Sequence, residues 1–256
     1  MVFKKLLASL GVGGPSVDTV LDGGSVLPGS AVSGQVMIRG GNQDVEIQHV
    51  TLHLVARVEI ETDDAEYNGE ASFGRFGVSG GFALAAEQQL ALPFTLSLPW
   101  ETPVTELYGR PLGIALGVRT ELAVAGAVDK GDLDPLAIRP LPVQQSVLEA
   151  LGQLGFTFRS ADLEQGHIRG TGQTLPFYQE IELSPGPQFA HALNQLEVTF
   201  LTSESGVEVV LEGDKRRGLL GSTDVLTKFT LGHHEAGRSD MTDLVGSWVN
   251  QLASRR

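Results

Sequence analysis

Apolar and polar residues alternate along several segments of the chain, most regularly between Val50 and Glu61. Six apolar residues there fall on every second position: Val50, Leu52, Leu54, Ala56, Val58 and Ile60. Because the side chains of a strand point alternately to its two faces, this strand has one apolar face and one largely polar face. The apolar face must be covered, which predicts a second sheet packed against it.

Alternation of the same kind predicts further strands in the first half of the chain. Ile114 to Val124 predicts a full strand, and Leu92 to Leu98 predicts a strand that contains Pro93. Because proline has no N–H to donate to a ladder, the strand with Pro93 is predicted to lie at a sheet edge. Both strands are candidates to cover the one that starts at Val50. The acid- and glycine-rich segment from Asp63 to Gly81 is predicted to be a surface loop.

A proline-rich connector from Asp129 to Pro142 divides the chain. The residue before a proline is biased away from helical backbone, so this segment is predicted to be extended. We therefore predict two domains, residues 1–138 and 139–256. In the second domain the clearest hairpin joins Leu196 to Phe200 with Val207 to Leu211, because both segments alternate and a short turn sequence separates them.

Two short helices are predicted at the start of the two domains. The apolar residues between Met1 and Gly14 share one helical face. An export signal is the alternative for this segment, but its apolar stretch is short and broken by glycines, and it lacks a small-residue cleavage site. The second helix is predicted to begin at a capping box formed by Ser146 and Glu149.

A third helix is predicted at the C-terminus, with Asp240 as its N-cap. Six apolar residues recur there at helical spacing: Met241, Leu244, Val245, Trp248, Val249 and Leu252. We expect this helix to pack on its own domain. The alternative is a helix that binds a partner protein, with Trp248 as a contact residue.

Composition narrows the classes of function. The chain has 32 glycines and 12 prolines, as expected for many short strands and turns. Its net charge of −13, from 18 basic and 31 acidic residues, disfavours nucleic acid and anionic membrane surfaces as partners. The absence of cysteine excludes disulfides and thiolate chemistry and is compatible with a cytoplasmic location. No apolar run is long enough to span a membrane, so stable membrane insertion is not expected.

Ser79 lies in a sequence, Gly77 to Gly81, that formally fits the nucleophile elbow of serine hydrolases. That elbow is a strained turn between a strand and a helix. Here the flanking residues are mostly glycine, and no alternation of strands and helices surrounds them. Catalysis by Ser79 is therefore the weaker of the two interpretations, and a loop is the stronger.

Other clusters of polar residues raise the question of metal binding. The acidic residues from Glu59 to Glu70, including the loop from Asp63 to Glu70, could bind calcium but lack the spacing of a known calcium loop. Asp129, Asp132 and Asp134 favour turns in the connector. The adjacent His233 and His234 would point to opposite faces of a strand, which is poor geometry for chelation. No metal or cofactor is therefore assigned.

The densest group of basic residues is Lys215, Arg216 and Arg217, between two glycines. At the tip of a hairpin these side chains could bind a phosphate group or the carboxylates of a partner. The alternative is a solvated turn that discourages edge-to-edge aggregation. With Trp248 these three residues form the predicted partner-binding set.

The order of elements and several segments together resemble a known family. The segments are Leu92 to Pro99, Val32 to Gly41, Leu154 to Phe156, Pro176 to Glu182 and Leu196 to Phe200. The chain resembles the arrestin-like fold and, within it, the bacterial sporulation-control protein M family, named for stage zero of sporulation. The resemblance covers nearly the whole chain and implies an all-β fold of two consecutive arrestin-like β-sandwich domains with short peripheral helices.

What the resemblance implies about function is a non-enzymatic cytoplasmic regulator or scaffold in sporulation or cell-division control. Such a protein would act through contacts with protein partners, which could belong to the cell-division or sporulation machinery, and would need no cofactor. A homodimer is compatible with exposed sheet edges. The residues alone leave two alternatives open: a serine hydrolase that uses Ser79, and a sandwich that binds calcium or a small ligand.

Overall fold

The computed structural model describes residues 8–9, 13–62, 65–125, 133–215 and 224–254. The elements within these ranges are mostly strands, which confirms the predicted mostly-β class. The strands are β1 Ala8–Ser9, β2 Ser16–Leu21, β3 Ala31–Arg39, β4 Val45–Thr62, β5 Ala65–Ser79, β6 Phe82–Leu84, β7 Gln89–Ser97, β8 Glu106–Leu107, β9 Arg110–Pro111, β10 Leu116–Val124, β11 Leu133–Pro135, β12 Thr157–Gln165, β13 Phe177–Ser184, β14 Leu193–Thr202, β15 Gly206–Lys215 and β16 Asp224–Gly232. The helices are α1 Pro142–Gln153 and α2 Met241–Ser254, with a 3-10 turn at His233–Glu235.

Two sheets enclose the first hydrophobic core. The smaller sheet has the order β1-β2-β3-β7, and the larger, ten-stranded sheet runs β11-β10-β4-β12-β13-β14-β15-β16 with β5 and β6 also paired to β4. The even residues of β4 from Val50 to Val58 are buried between the sheets. A hydrogen bond between the buried hydroxyls of Thr19 in β2 and Thr120 in β10 links the two layers. The central strand therefore has the covering sheet that its alternation predicts.

The two candidates for that cover lie in different layers. Strand β7 belongs to the opposite sheet and is hydrogen-bonded to β3 at the end of the four-stranded order, which confirms the predicted edge position. Strand β10 is instead a direct neighbour of β4 in the same sheet, with Val118 opposite Leu54. The alternation pattern predicts both strands, but it does not show whether a strand pairs with β4 in the same sheet or packs over β4 from the opposite sheet.

The prediction of a surface loop from Asp63 to Gly81 is wrong for most of its length. Residues Ala65–Ser79 form β5, which pairs with β4 as a long antiparallel hairpin. Phe73, Phe76 and Val78 pack against the core. The glycines in this segment fit the strand because the partner side chains are close: a Cβ at Gly69 would lie 2.4 Å from the Ile60 side chain. The glycine-rich and acidic composition of this segment is therefore compatible with a strand, because the pairing with β4 stabilises it.

The second half of the chain continues the large sheet with β12 to β16 and covers one face of it with helices. Helix α2 buries Val245, Val249 and Leu252 against this sheet, and the Trp248 indole stacks on Phe229 with 4.5 Å between ring centroids. The predicted β14–β15 hairpin is confirmed, with Val198 opposite Leu211.

Helix α1 begins one turn before the predicted capping box. Leu141 precedes the helix and Pro142 occupies its first turn, where a missing N–H costs nothing. The Gln144 side chain accepts a hydrogen bond from the Leu141 N–H at 2.8 Å. Ser146 lies inside the helix, and its hydroxyl donates to the Pro142 carbonyl. The proposed cap at Ser146 is therefore incorrect because proline and Gln144 supply an earlier start.

The predicted N-terminal helix falls mainly outside the described residues. Of that segment, Ala8–Ser9 forms the short strand β1, paired with Val17 and Ser16, so the helix does not include these two residues. At the other end, α2 starts directly after Asp240, whose carbonyl accepts the Leu244 N–H. Neither α1 nor α2 is long and apolar enough to cross a membrane.

Two groups of buried side chains form separate cores. The first core lies between the two sheets, and the second joins β13 to β16 with both helices. Ile138 belongs to the first core and Leu141 to the second, close to the predicted boundary. Leu163 and Phe177 of the later sequence nevertheless belong to the first core. The division at residues 138 and 139 stays a prediction.

Substitution of Leu54 by alanine tests the role of the buried face of β4. Leu54 is fully buried, so the Leu54→Ala change should lower the free energy of unfolding by about 2–5 kcal/mol through lost burial and the cavity that remains. Leu133→Ala is the matched control, because that leucine is 42% exposed, and should cost no more than about 1 kcal/mol. Urea unfolding followed by circular dichroism measures both, and equal losses would contradict this assignment.

Candidate interaction surface

The residues considered for chemistry in the sequence do not meet in one place. Ser79 ends β5, and its hydroxyl donates to the Gly80 carbonyl at 3.1 Å. No helix follows it; β6 begins at Phe82. The strand–turn–helix geometry of a nucleophile elbow is therefore not present around Ser79 in the described structure.

The acidic segment around the β4–β5 turn is only partly described, since Asp63 and Asp64 lie outside the described residues. Glu70 projects from β5, and both of its carboxylate oxygens accept hydrogen bonds from the Arg119 guanidinium of β10. This paired hydrogen bond holds the pKa of Glu70 below its usual value. Glu70 is thus engaged by an arginine rather than presented for calcium.

The His233–Glu235 segment forms a short turn that contacts the rest of the protein. The His233 ring stacks on Trp100 at 5.3 Å, and its Nε2 lies 2.8 Å from the Ser203 carbonyl. Glu235 accepts the Gly232 N–H and pairs with Arg238. These contacts support the interpretation of a polar turn. In the connector, Asp134 lies buried in β11, and Asp129 and Asp132 are outside the described residues.

Of the four residues predicted to bind a partner, the structure describes two, Lys215 and Trp248. Lys215 ends β15, while Arg216 and Arg217 lie outside the described residues. Trp248 is only 6% exposed, because the inner face of α2 holds it against Phe229. The indole is therefore part of the second core, which agrees with the expectation that this helix packs on its own domain.

A set of carboxylates, which we call the acidic band, lies across β12 to β15: Asp162, Glu164, Glu180, Glu197 and Glu212. Asp162 is opposite Glu180, and Glu197 is opposite Glu212. Their chain neighbours, such as Leu163 and Ile181, are buried. Because side chains alternate along a strand, the band occupies the face of the sheet that points away from the core.

The electrostatics of the acidic band centre on Glu180. Burial and the negative charges of Glu197, Asp162, Glu164 and Glu212 raise the pKa of Glu180 from 4.5 to about 9. Burial, together with Glu180 and the other carboxylates nearby, also raises the pKa of the neighbouring Tyr178. At neutral pH Glu180 is therefore protonated, which relieves repulsion at the middle of the band.

The acidic band also has oxygen atoms close enough to share a cation. Single carboxylate oxygens of Asp162, Glu164 and Glu180 lie within 4.8 Å of one another, as do those of Glu180, Glu197 and Glu212. Calcium and magnesium prefer such oxygen ligands. Glu180 belongs to both groups, so these residues, rather than the loop from Asp63 to Glu70, are the described carboxylates that could hold a divalent ion.

Basic side chains occupy the same face of the sheet in its N-terminal half. His53 of β4 is opposite Arg75 of β5 on one side and opposite Arg119 of β10 on the other. Arg57 follows on β4 and, like Arg75, is exposed. We call these four residues, together with His49, the basic row. Arg119, His53 and Thr120 line a shallow cavity of about 440 Å³.

Within the basic row, two histidines share one carboxylate. The Nε2 atoms of His49 and His53 lie 3.1 and 2.8 Å from the two oxygens of Glu121. The bond to His53, followed by the bond to His49, lowers the pKa of Glu121. Glu121 therefore remains charged and orients both imidazoles over the sheet.

Side-chain hydrogen bonds to the main chain join the two halves beside this face. The Glu101 carboxylate accepts the N–H groups of Thr174 and Leu175 at 2.9 and 3.0 Å, and the Thr174 hydroxyl at 2.9 Å. The Gln179 side chain accepts the Val104 N–H at 2.9 Å and donates to the Val104 carbonyl at 2.8 Å. Among the residues that the structure describes, one ladder pair joins β4 and β12, Glu59 with Glu164. We refer to these contacts as the joint between the halves.

The sequence contains a signal for the acidic band. Acidic residues alternate with apolar ones along parts of β12 and β13, as in Asp162-Leu163-Glu164 and Glu180-Ile181-Glu182. Strands whose polar face is acidic, placed side by side, predict a negative surface. Their order in the sheet, which brings these particular carboxylates together, needs the structure.

Comparison with known proteins finds relatives that match most of the chain. A model of the family described as SpoOM protein matches residues 3–217. This chain belongs to that family. It is 38% identical over 221 residues to the sporulation-control protein spo0M of Bacillus subtilis strain 168, covering 86% of this chain and 83% of that protein.

A solved structure of the same family agrees with the fold. The crystal structure of Spo0M from Bacillus subtilis superposes with a TM-score of 0.80 and 29% sequence identity, and the match covers 94% of this chain and 100% of that chain. The family predicted from the sequence is confirmed. The mostly-β architecture described above is thus the fold of the family.

Because the pKa of Glu180 is raised, the free energy of unfolding should depend on pH. The folded protein keeps a proton on Glu180 that the unfolded chain releases above its ordinary pKa of 4.5, so this contribution to stability is complete below that pH. It is lost as the pH rises through about 9. Between these values the loss is at most about 1.4 kcal/mol per pH unit.

The Glu180→Gln variant should therefore lose less stability than the wild type between about pH 6 and pH 9. Thermal unfolding at a series of pH values measures the difference. Glu204→Gln, in the exposed β14–β15 turn, is the control and should follow the wild type. A pH profile of Glu180→Gln that coincides with the wild type would be inconsistent with a buried, protonated Glu180.

The joint between the halves leads to a second prediction. Glu101→Ala removes the acceptor for the Thr174 and Leu175 amides, so these amides should exchange hydrogen about 5–30-fold faster, as expected for a local loss of about 1–2 kcal/mol. Hydrogen–deuterium exchange with mass spectrometry measures this loop. Amides in β3, in the smaller sheet, serve as the internal control. Unchanged exchange at both loop amides would show that Glu101 does not hold them.

Proposed function

We propose that this protein is a non-enzymatic cytoplasmic regulator or scaffold in sporulation or cell-division control, which acts through contacts with protein partners. The observation that carries the proposal is the match over most of the chain to a protein described as a sporulation-control protein. Proteins of one family at this identity and coverage commonly share their broad role.

The surface supports contact with partners as the mode of action. The outward face of the large sheet has charged residues in two groups, the acidic band and the basic row, and electrostatic complementarity of this kind favours specific partners and faster association. Lys215, Arg216 and Arg217 remain a predicted contact site next to the end of β15. Trp248 would contribute to partner binding only if α2 left its own domain.

Two alternatives have weaker support. A serine hydrolase would need a base beside Ser79, yet the described contact of its hydroxyl is with the Gly80 carbonyl. A calcium-binding sandwich would use the acidic band, whose oxygens are suitably close. Binding of a cation there is compatible with a regulatory role and does not require an enzyme.

Complementation tests the proposed role. We expect this chain to restore the frequency of heat-resistant spores in a Bacillus subtilis strain that lacks its own Spo0M. The Ser79→Ala variant should restore it equally well, because no reaction depends on that hydroxyl. Failure to restore despite normal amounts of folded protein would count against a sporulation role. Loss of function in Ser79→Ala alone would favour the hydrolase.

A further inference from the structure

Two exposed aromatic residues line one cavity beside helix α1. Tyr108 follows β8 and is 61% exposed, and Phe158 lies on β12 and is 45% exposed. Neither ring is among the described residues that form the first and second cores. We call the cavity, which has a volume of about 430 Å³, the aromatic pocket. Its other apolar side chains are those of Leu107, Leu148, Phe156 and Leu183. The two exposed rings are therefore accessible to a ligand.

The backbone at Tyr108 has a conformation that tyrosine rarely adopts. Leu107 and Arg110 pair across a two-residue turn, in which φ is +52° at Tyr108 and +72° at Gly109. A turn with positive φ at both positions favours asparagine or glycine at the first one, and a bulky residue there is strained. Because the ring is exposed, burial does not offset this cost. Strain of this kind occurs most often at functional sites.

A β-bulge determines the position of Phe158. The pairing of β12 with β13 shifts register between Phe158 and Ser160, so Arg159 is an extra residue in the ladder. A bulge bends its strand and redirects the side chains beside it. The Arg159 guanidinium donates to the Gln195 side chain and lies 3.6 Å from the Glu182 carboxylate. The cation next to Phe158 is thus engaged on β13 and β14.

Glu149 gives the aromatic pocket a negative charge. Among the described residues that line the pocket it is the charged one, and Arg110, which follows the turn, is not among them. One Glu149 oxygen accepts the Gln145 side-chain amide at 2.7 Å, and a carboxylate has capacity for further donors. Partial burial, and then the charge of Glu149, raise the pKa of the Tyr108 hydroxyl. A Cβ at Gly152, one turn further along α1, would meet no atom within 4 Å, so the approach is open.

This combination of side chains is complementary to one kind of group. The faces of aromatic rings attract cations, and a carboxylate accepts charge-assisted hydrogen bonds from a guanidinium. An apolar lining accommodates the methylene stem of a long cationic side chain. We propose that the aromatic pocket binds an arginine side chain of a partner protein, with the guanidinium against Tyr108 and Phe158 and hydrogen-bonded to Glu149. Apolar residues beside that arginine pack on Leu148 and Leu183.

The size of the pocket and the charge of the protein agree with such a ligand. The volume of about 430 Å³ lies within the range of about 300–1,000 Å³ that is typical of small-ligand sites. The net charge of −13 attracts cationic segments and repels anionic ones. This inference rests on the proposed mode of action, contact with protein partners, and not on the role in sporulation.

Peptide binding tests the proposal. The probes are acetyl-Ala-Leu-Arg-Leu-Ala-amide and the same peptide with citrulline, the neutral isostere of arginine, at its centre. The arginine peptide should bind with a dissociation constant on the order of 1 mM, as expected for contact through one main side chain. The citrulline peptide should bind about 10-fold more weakly, since it lacks the charge. NMR titration measures both, and the amide signals of Gly109 and Gly152 should shift.

Three variants test the groups that form the pocket. Tyr108→Asn and Phe158→Ala should each weaken binding of the arginine peptide about 10-fold, and Glu149→Gln about 5-fold. Tyr108→Asn should unfold at the same or a higher urea concentration than the wild type, because asparagine favours positive φ. Loss of binding without loss of stability separates contact with the ligand from a structural role. If Phe158→Ala fails to fold, Phe158→Leu keeps the apolar contact and removes the ring.

Tyr67→Ala is the matched control, because it removes a tyrosine ring that is 52% exposed on β5, and it should bind like the wild type. Equal binding of the two peptides, or unchanged binding by Tyr108→Asn and Phe158→Ala, would overturn the proposal. So would shifts of Gly109 and Gly152 that depend on protein concentration without peptide, which would assign the pocket to a second copy. Spore complementation is measured separately, so a failed sporulation role and a failed pocket can be distinguished.

Discussion

The structure depends on strand β4, whose backbone pairs on both edges and whose apolar face is buried between two sheets. One edge pairs with β5 along most of its length, and the other pairs with β10 and then, near Glu59, with β12. Because hydrogen bonds along a buried strand must all be satisfied, its position specifies those of its neighbours. The strand thus defines the N-terminal core and is also where the second half is attached.

The attachment between the halves combines attraction and repulsion. Glu101 and Gln179 bind main-chain groups across the joint between the halves, while Glu59 and Glu164 are ladder partners of the same charge sign. Like charges directly opposite on adjacent strands destabilise the pairing. The proton held by Glu180 reduces the total charge nearby. The protonation of Glu180 therefore contributes to the stability of the sheet beside this attachment.

Much of the fold follows from side-chain periodicity, and the remainder depends on contacts between distant segments. Alternation of apolar and polar residues predicts β4, β7, β10 and the β14–β15 hairpin, because a strand buried on one face has an apolar residue at every second position. Strand β5 cannot be predicted from its own residues, because its partner strand stabilises it. Gly69 and Gly74 weaken the local preference for a strand but allow Ile60 and Leu54 to pack closely. The start of α1 was misplaced because a proline and Gln144 compete with the Ser146 capping box.

The candidate surface was harder to predict than the fold. Dense clusters along the chain, such as Lys215 to Arg217 and Asp63 to Glu70, are the signals that a sequence shows directly. The residues that come together are instead spread over more than one hundred positions, from Glu59 to Glu212, and only the strand order makes them neighbours. The family, in contrast, follows from similarity over the whole chain and needs no knowledge of which side chains meet.

The bonds of Gln179 to Val104 have a consequence for how the chain can vary. The amide side chain replaces a peptide group and satisfies one N–H and one carbonyl of Val104, whereas the Glu101 carboxylate accepts the N–H groups of Thr174 and Leu175. Every residue type except proline supplies both main-chain groups. Substitutions at Val104 and Leu175 by residues other than proline therefore keep these bonds and are constrained by packing, while the bonds depend on the side chains at positions 179 and 101. Contact between the halves can thus persist through sequence drift on one side without compensating changes on the other.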